Sequence, residues 1–150
     1  RLFKQEDALR LSTYPAITLI CGHYEGIDER VSTLFVDEEL SIGDYVLTGG
    51  ELPAMVIADA ITRLIPAVLG RDTVETGDSH YQGLLEHPHF TRPPAFMGLA
   101  VPEVLLSGDH ARIDRWRRKM ALKKTRAQRP DLLESLDLSA QDRALLTEDE

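Results

Sequence analysis

The stretch Ser41–Pro53, Ser-Ile-Gly-Asp-Tyr-Val-Leu-Thr-Gly-Gly-Glu-Leu-Pro, restricts the possible folds of this chain more than any other. It holds three glycines within eight positions, from Gly43 to Gly50. Glycine permits backbone conformations and close approaches that a Cβ forbids. The apolar pair Val46-Leu47 lies between two glycine-bearing turns. Glu51-Leu52-Pro53 reads as a helix start, because proline is tolerated in a first turn and an acid suits the positive end of the helix dipole. Leu52, Met55, Val56, Ile57, Ala60, Ile61, Leu64 and Ile65 then follow helical spacing until Pro66. The stretch predicts a loop of bare backbone opening into a helix, a shape suited to gripping a flat, polar-edged ligand such as a purine. Spacing alone favours a plain turn between a strand and a helix.

The preceding residues supply a second wall. Phe3–Leu11 has the pattern of a weak amphipathic helix. Ala16–Cys21 is β-branched and almost wholly apolar, which predicts a strand buried on both faces, the habit of parallel sheets. Its end, Gly22–Gly26, falls where open α/β sheets place ligands, beyond the carboxyl ends of strands. A helix over 27–35 and a short strand over 36–40 complete the approach to the glycine-rich loop. A lone cysteine, Cys21, excludes an internal disulfide and fits a reducing, cytoplasmic setting. No apolar run approaches a membrane span. The chain opens on Arg1 in what reads as mid-domain sequence, and so is expected to be a fragment.

Residues 70–78 have no apolar periodicity and read as a linker between a domain at 1–69 and another at 79–150. Asp78 could cap a following helix. Gly83–Pro102 is expected to be loop-rich, with four prolines. Ser107-Gly108-Asp109 signals a helix from about His110 to Arg126, with Ile113, Trp116, Met120 and Leu122 inward. Pro130 opens a short helix through Leu136, and Ser139-Ala140-Gln141-Asp142 resembles a capping box with Asp in the acid position. The whole chain has a formal charge of −8, yet residues 112–129 carry nine basic groups against one acid, Asp114. Screening confines charge effects to about 10 Å, so this local face can meet a phosphate backbone despite the acidic total. A solvated helix face gives the same pattern.

Four segments resemble one family in order and spacing. They are Cys21–Arg30, Ser41–Pro53, Glu86–Pro93 and Val104–Gly108 with Arg115-Trp116 after it. Together they resemble the bacterial tRNA (guanine-37-N1)-methyltransferases over nearly the whole chain. The resemblance implies an α/β fold: a SPOUT-type trefoil-knotted parallel sheet, present in part, followed by a small all-helical domain that binds the anticodon stem-loop of tRNA. It also implies a homodimer with active sites between subunits. S-adenosylmethionine would be held by Gly22, Ile42, Gly43, Asp44, Tyr45, Val46 and Leu47, with Tyr24, Gly49, Gly50 and Pro53 close by. Ile42 and Leu47 would flank the adenine. Asp78 would take the proton from guanine N1, and Arg63 would stabilise charge on O6. A carboxylate is a weak base toward guanine, so such a guanidinium contributes directly to the reaction. Ser79, Glu86 and His89 would lie near the RNA. Arg115, Arg118 and Lys119 of the basic helix would follow its phosphates. Glu25 could assist a magnesium ion near the cofactor carboxylate; no other metal is expected.

Two other readings compete. His80, His87, His89 and Cys21 could bind zinc for hydrolysis, but the sequence shows no partner pair for the His-Pro-His triplet. A non-catalytic RNA-binding module would keep the basic helix and leave the glycine-rich loop merely structural.

Overall fold

The computed structural model describes residues 1–69 and 78–148. The proposed linker, apart from Asp78, lies outside them. Contacts divide the chain into two compact units, Arg1–Val74 and Glu75–Glu150.

In the first unit, α1 (Gln5–Leu11) packs on α3 (Glu51–Thr62). Ala8 and Leu11 on one helix and Ile57 and Ile61 on the other are buried, with Leu64 just beyond α3. Between them in the sequence comes α2 (Glu29–Phe35), started by Asp28, whose carboxylate accepts the Arg30 N–H at 2.9 Å. Residues 1–3 run parallel to 39–41. Phe3 N–H donates to Ser41 O at 2.8 Å, and Ser41 N–H to Arg1 O at 2.9 Å. Asp7, only 2% exposed, meets Arg1 and Arg10, and both guanidiniums also reach Glu38. A buried carboxylate is tolerated only with such partners. This ion cluster fixes the segment that feeds the glycine-rich loop.

The expected strands at 16–21 and 36–40 do not form ladders here. Ile17, Leu19 and Ile20 are exposed, and beyond the single Leu2–Ser41 bridge no strand pairs with this region among the described residues. A strand buried on both faces needs neighbours on both edges and cover on both sides.

The second unit is built on α5 (His110–Gln128), against which α4 (Glu103–Leu106), α6 (Pro130–Glu134) and α7 (Ala140–Thr147) pack. Asp109 caps α5, accepting the Arg112 N–H at 3.1 Å. The capping box at Ser139 and Asp142 forms as the sequence predicts. Leu84, Ala121, Leu122 and Leu145 make the core, flanked by Leu133, Leu136, Leu138 and Leu146. Gly83 turns the chain over Leu136 at φ 75°, a region closed to most side chains. One element is unforeseen. β1 (Ala95–Phe96) and β2 (Leu99–Ala100) form an antiparallel hairpin closed by Met97-Gly98, both at positive φ as two-residue hairpins of this type require. The architecture is thus helix-rich with a small two-stranded sheet.

Candidate functional site

The glycine-rich loop folds against the end of the 16–22 segment. Gly50 N–H donates to Gly22 O at 3.0 Å. A Cβ on Gly50 would stand 2.8 Å from Cys21 Cα and 3.0 Å from Gly22 N, so only glycine permits this approach. Gly50 itself has an ordinary φ of −81°, so its requirement is space rather than conformation. Ser41 Oγ pins the start of the loop, donating to Gly43 O at 3.0 Å and accepting Gly43 N–H at 3.2 Å. Tyr45 Oη donates to Ile42 O at 3.4 Å.

Between the two loops lies a cavity of about 400 Å³. Gly22, Tyr24, Ile42, Gly43, Tyr45, Leu47, Gly49, Gly50 and Pro53 line it. These are nine of the eleven residues assigned to a cofactor by resemblance. Asp44 and Val46 do not line it, and Val46 is 97% exposed. His23, Gly26, Leu40, Ser41 and Thr48 also contribute. His23 Nε2 lies 3.1 Å from Glu51 Oε1, which joins the first loop to the start of α3. Small-molecule clefts span about 300–1,000 Å³, and this one brings together Gly22, Gly43, Gly49 and Gly50 with the apolar side chains of Ile42 and Leu47. That lining has the size and the mixed character suited to a flat, polar-edged ligand. Glu25 stands exposed outside the lining.

The other predicted residues are spread over both units. Arg63 is the C-cap of α3 and has a partner interaction. Asp78 is half-buried, also engaged, and its carbonyl accepts the Tyr81 N–H at 3.3 Å. Ser79 Oγ accepts the Glu86 N–H at 2.9 Å. Leu85 N–H donates at 2.9 Å to Thr125, a fully buried hydroxyl on α5, and Lys124 Nζ donates to Glu86 O at 3.0 Å. These bonds hold Ser79 and Glu86 along α5. Glu86 Oε1 in turn lies 2.7 Å from His89 Nε2.

The basic helix is less free than its composition suggests. Arg118 grips Asp142 with two bonds of 2.8 and 3.0 Å. Hydrogen bonding from that guanidinium, and then from Ser139, holds the Asp142 carboxyl down to about 2 against the opposing effect of burial. Arg118 therefore anchors α7. Arg115 pairs with Glu148, and Lys119 Nζ lies 3.7 Å from the same carboxylate. Sequence spacing cannot show pairs that lie 24 or more residues apart.

A second cavity, about 580 Å³, lies in this unit beside α5. His87, His89, Phe90, Arg92, Leu105, Ile113 and Arg117 are among its walls. The Trp116 ring centroid is 6.4 Å from that of His87 and 6.2 Å from that of Phe90. Among the described residues, no helix is long and apolar enough to cross a membrane.

Comparison with known proteins gives these two units a context. Residues 1–135 match the family model described as tRNA (Guanine-1)-methyltransferase TrmD. A tRNA (guanine-N(1)-)-methyltransferase of Dehalococcoides mccartyi strain 195 is 59% identical over 148 residues, covering 99% of this chain and 60% of that protein. The proteins of the same name from Moorella thermoacetica and Desulforamulus reducens are 58% and 54% identical over 146 residues, each covering 97% of this chain and 58% of theirs. The chain thus spans about 60% of the length of these relatives.

Proposed function

Since the chain belongs to the tRNA (guanine-1)-methyltransferase family, we propose that its first unit binds S-adenosylmethionine and that the protein methylates N1 of guanine 37 in tRNA. The observation that carries this reading is the cavity walled by Gly22 and the Ile42–Gly50 loop, with Gly50 fitted against Cys21. When bound, the cofactor would supply an already activated methyl group. The work left to the protein is positioning and charge management. The backbone of residues 42–50 would bind the adenine edge, with Ile42 and Leu47 at its faces. Asp78 would accept the N1 proton, and Arg63 would stabilise the negative charge that develops on O6.

The same reading gives the family's SPOUT-type knotted parallel sheet to the first unit, followed by a small, mainly helical RNA-binding domain over 79–150. It also includes a homodimer, and Glu25 as a ligand for magnesium near the cofactor carboxylate. Arg115 and Lys119 remain suitable phosphate contacts. Their pairs with Glu148 are partly solvent-exposed, so a phosphate can displace the carboxylate at little cost. Arg118 also anchors α7 through Asp142. A purely RNA-binding module would make the Gly50 fit structural alone and leave the cavity beside it without a ligand.

The test is a chimera in which this chain is completed by the upstream segment of the Dehalococcoides mccartyi relative. It is expected to bind S-adenosylmethionine and to methylate a tRNA transcript carrying guanine 37, but not one carrying adenine there. Asp78→Asn should abolish turnover and leave cofactor affinity nearly intact. Cofactor binding without any transfer to tRNA, or turnover retained in Asp78→Asn, would overturn the corresponding part.

A further inference from the structure

The resemblance places Glu86 and His89 near RNA, but it leaves their arrangement with His87 unexplained. One donor atom from each of the three side chains lies within 4.8 Å of the others. The Glu86–His89 pair is at 2.7 Å and the two imidazole centroids are 4.6 Å apart. We infer that Glu86, His87 and His89 form a binding site for a divalent transition-metal ion of the zinc class, with water in the remaining positions.

The donor set selects the metal. Two imidazoles and one carboxylate suit zinc, cobalt or nickel, whereas magnesium takes oxygen donors. Donors around a tetrahedral zinc stand about 3.4 Å apart, given bonds of roughly 2.0–2.1 Å. The closest pair must open slightly and the widest must close. The exposed His89 side chain can supply that adjustment by rotation.

The support around the donors is already built. His87 Nδ1 is 3.1 Å from Pro88 O. A proton on Nδ1 shared with that carbonyl leaves Nε2 as a lone-pair donor, the usual outer arrangement of a metal-bound histidine. Pro88 fixes the backbone between the histidines. The Glu86 main chain is tied on both sides, to Ser79 Oγ and to Lys124 Nζ. Thr125 anchors the residue before it. The sequence has the His-Pro-His triplet in plain view. Glu86 stands directly before the triplet, and its main-chain bonds to Ser79 and α5 hold it there.

Only one carboxylate offsets the dication, and Lys124 lies close, so binding weaker than at a structural zinc site is expected. The untagged chain is titrated with zinc by calorimetry and with cobalt by visible absorption, without RNA or S-adenosylmethionine. One ion per chain is expected, with d–d bands reporting nitrogen–oxygen coordination. Glu86→Gln and His89→Ala should each weaken binding about tenfold or more, while His110→Ala leaves it unchanged. Circular dichroism checks each fold; should His89→Ala unfold, Glu86→Gln carries the test. No saturable binding below about 1 mM, or binding undiminished by both substitutions, would overturn the site. The methyltransfer reading is unaffected by either outcome.

Discussion

At Gly50 a single methyl group would have to enter the backbone of the facing loop. Backbone cannot rotate aside as a side chain can, so Gly50→Ala must push the two loops apart. Overpacking of this kind costs about 1–3 kcal/mol, which predicts a loss of S-adenosylmethionine affinity of about tenfold or more in the completed chimera. Calorimetry measures it, and unchanged affinity would show that the loops do not need their contact. Asp142 makes a different demand. Its carboxyl is held at about 2 in the folded chain, below its ordinary 3.8, first by hydrogen bonding from Arg118. A depressed carboxyl stabilises the fold fully above the unfolded value and loses that contribution as pH falls through the folded one. The shift is worth about 1–2 kcal/mol once solvent at Arg118 is allowed for. Denaturant midpoints of the second unit should therefore drop between pH 4 and pH 2, and Asp142→Asn should flatten that part of the profile.

Among the elements, α5 organises the second unit. Leu122, fully buried, packs with Ala121, Leu84 and Leu145, so Leu122→Ala should destabilise that unit by about 2–5 kcal/mol in urea unfolding. Ser139→Ala removes an N-cap acceptor for Asp142 N–H and should cost about 1 kcal/mol. These helices were legible because their signals are local: Asp109 and Ser139 cap within three residues, and Ile113 and Leu122 face inward as their spacing implies. The hairpin at 95–100 was not legible, because two residues per strand leave no period to read and Met97 at φ 50° carries no glycine signature. Ala16–Cys21 shows the opposite failure. Its composition speaks for a buried strand, but composition cannot supply the neighbours that bury it. The loops of the candidate site were legible because Gly22, Gly43, Gly49 and Gly50 mark tight turns, although only Gly50 stands against facing backbone.

Over the whole molecule, an acidic chain carries one basic helix. Where that helix meets phosphates, binding must weaken with salt, with a slope near −0.7 to −0.9 per phosphate contacted. Replacing Lys119 should lower that slope by about one contact, whereas Arg118→Ala should act mainly through stability, because its guanidinium is committed to Asp142. The central claim, however, rests on the first unit. The most direct measurement is a calorimetric titration of the completed chimera with S-adenosylmethionine, beside the same protein carrying Gly50→Ala. Saturable binding at one cofactor per chain, weakened about tenfold or more by the substitution, is the result expected. Equal binding by the two proteins, or none by either in a folded chimera, would contradict the account.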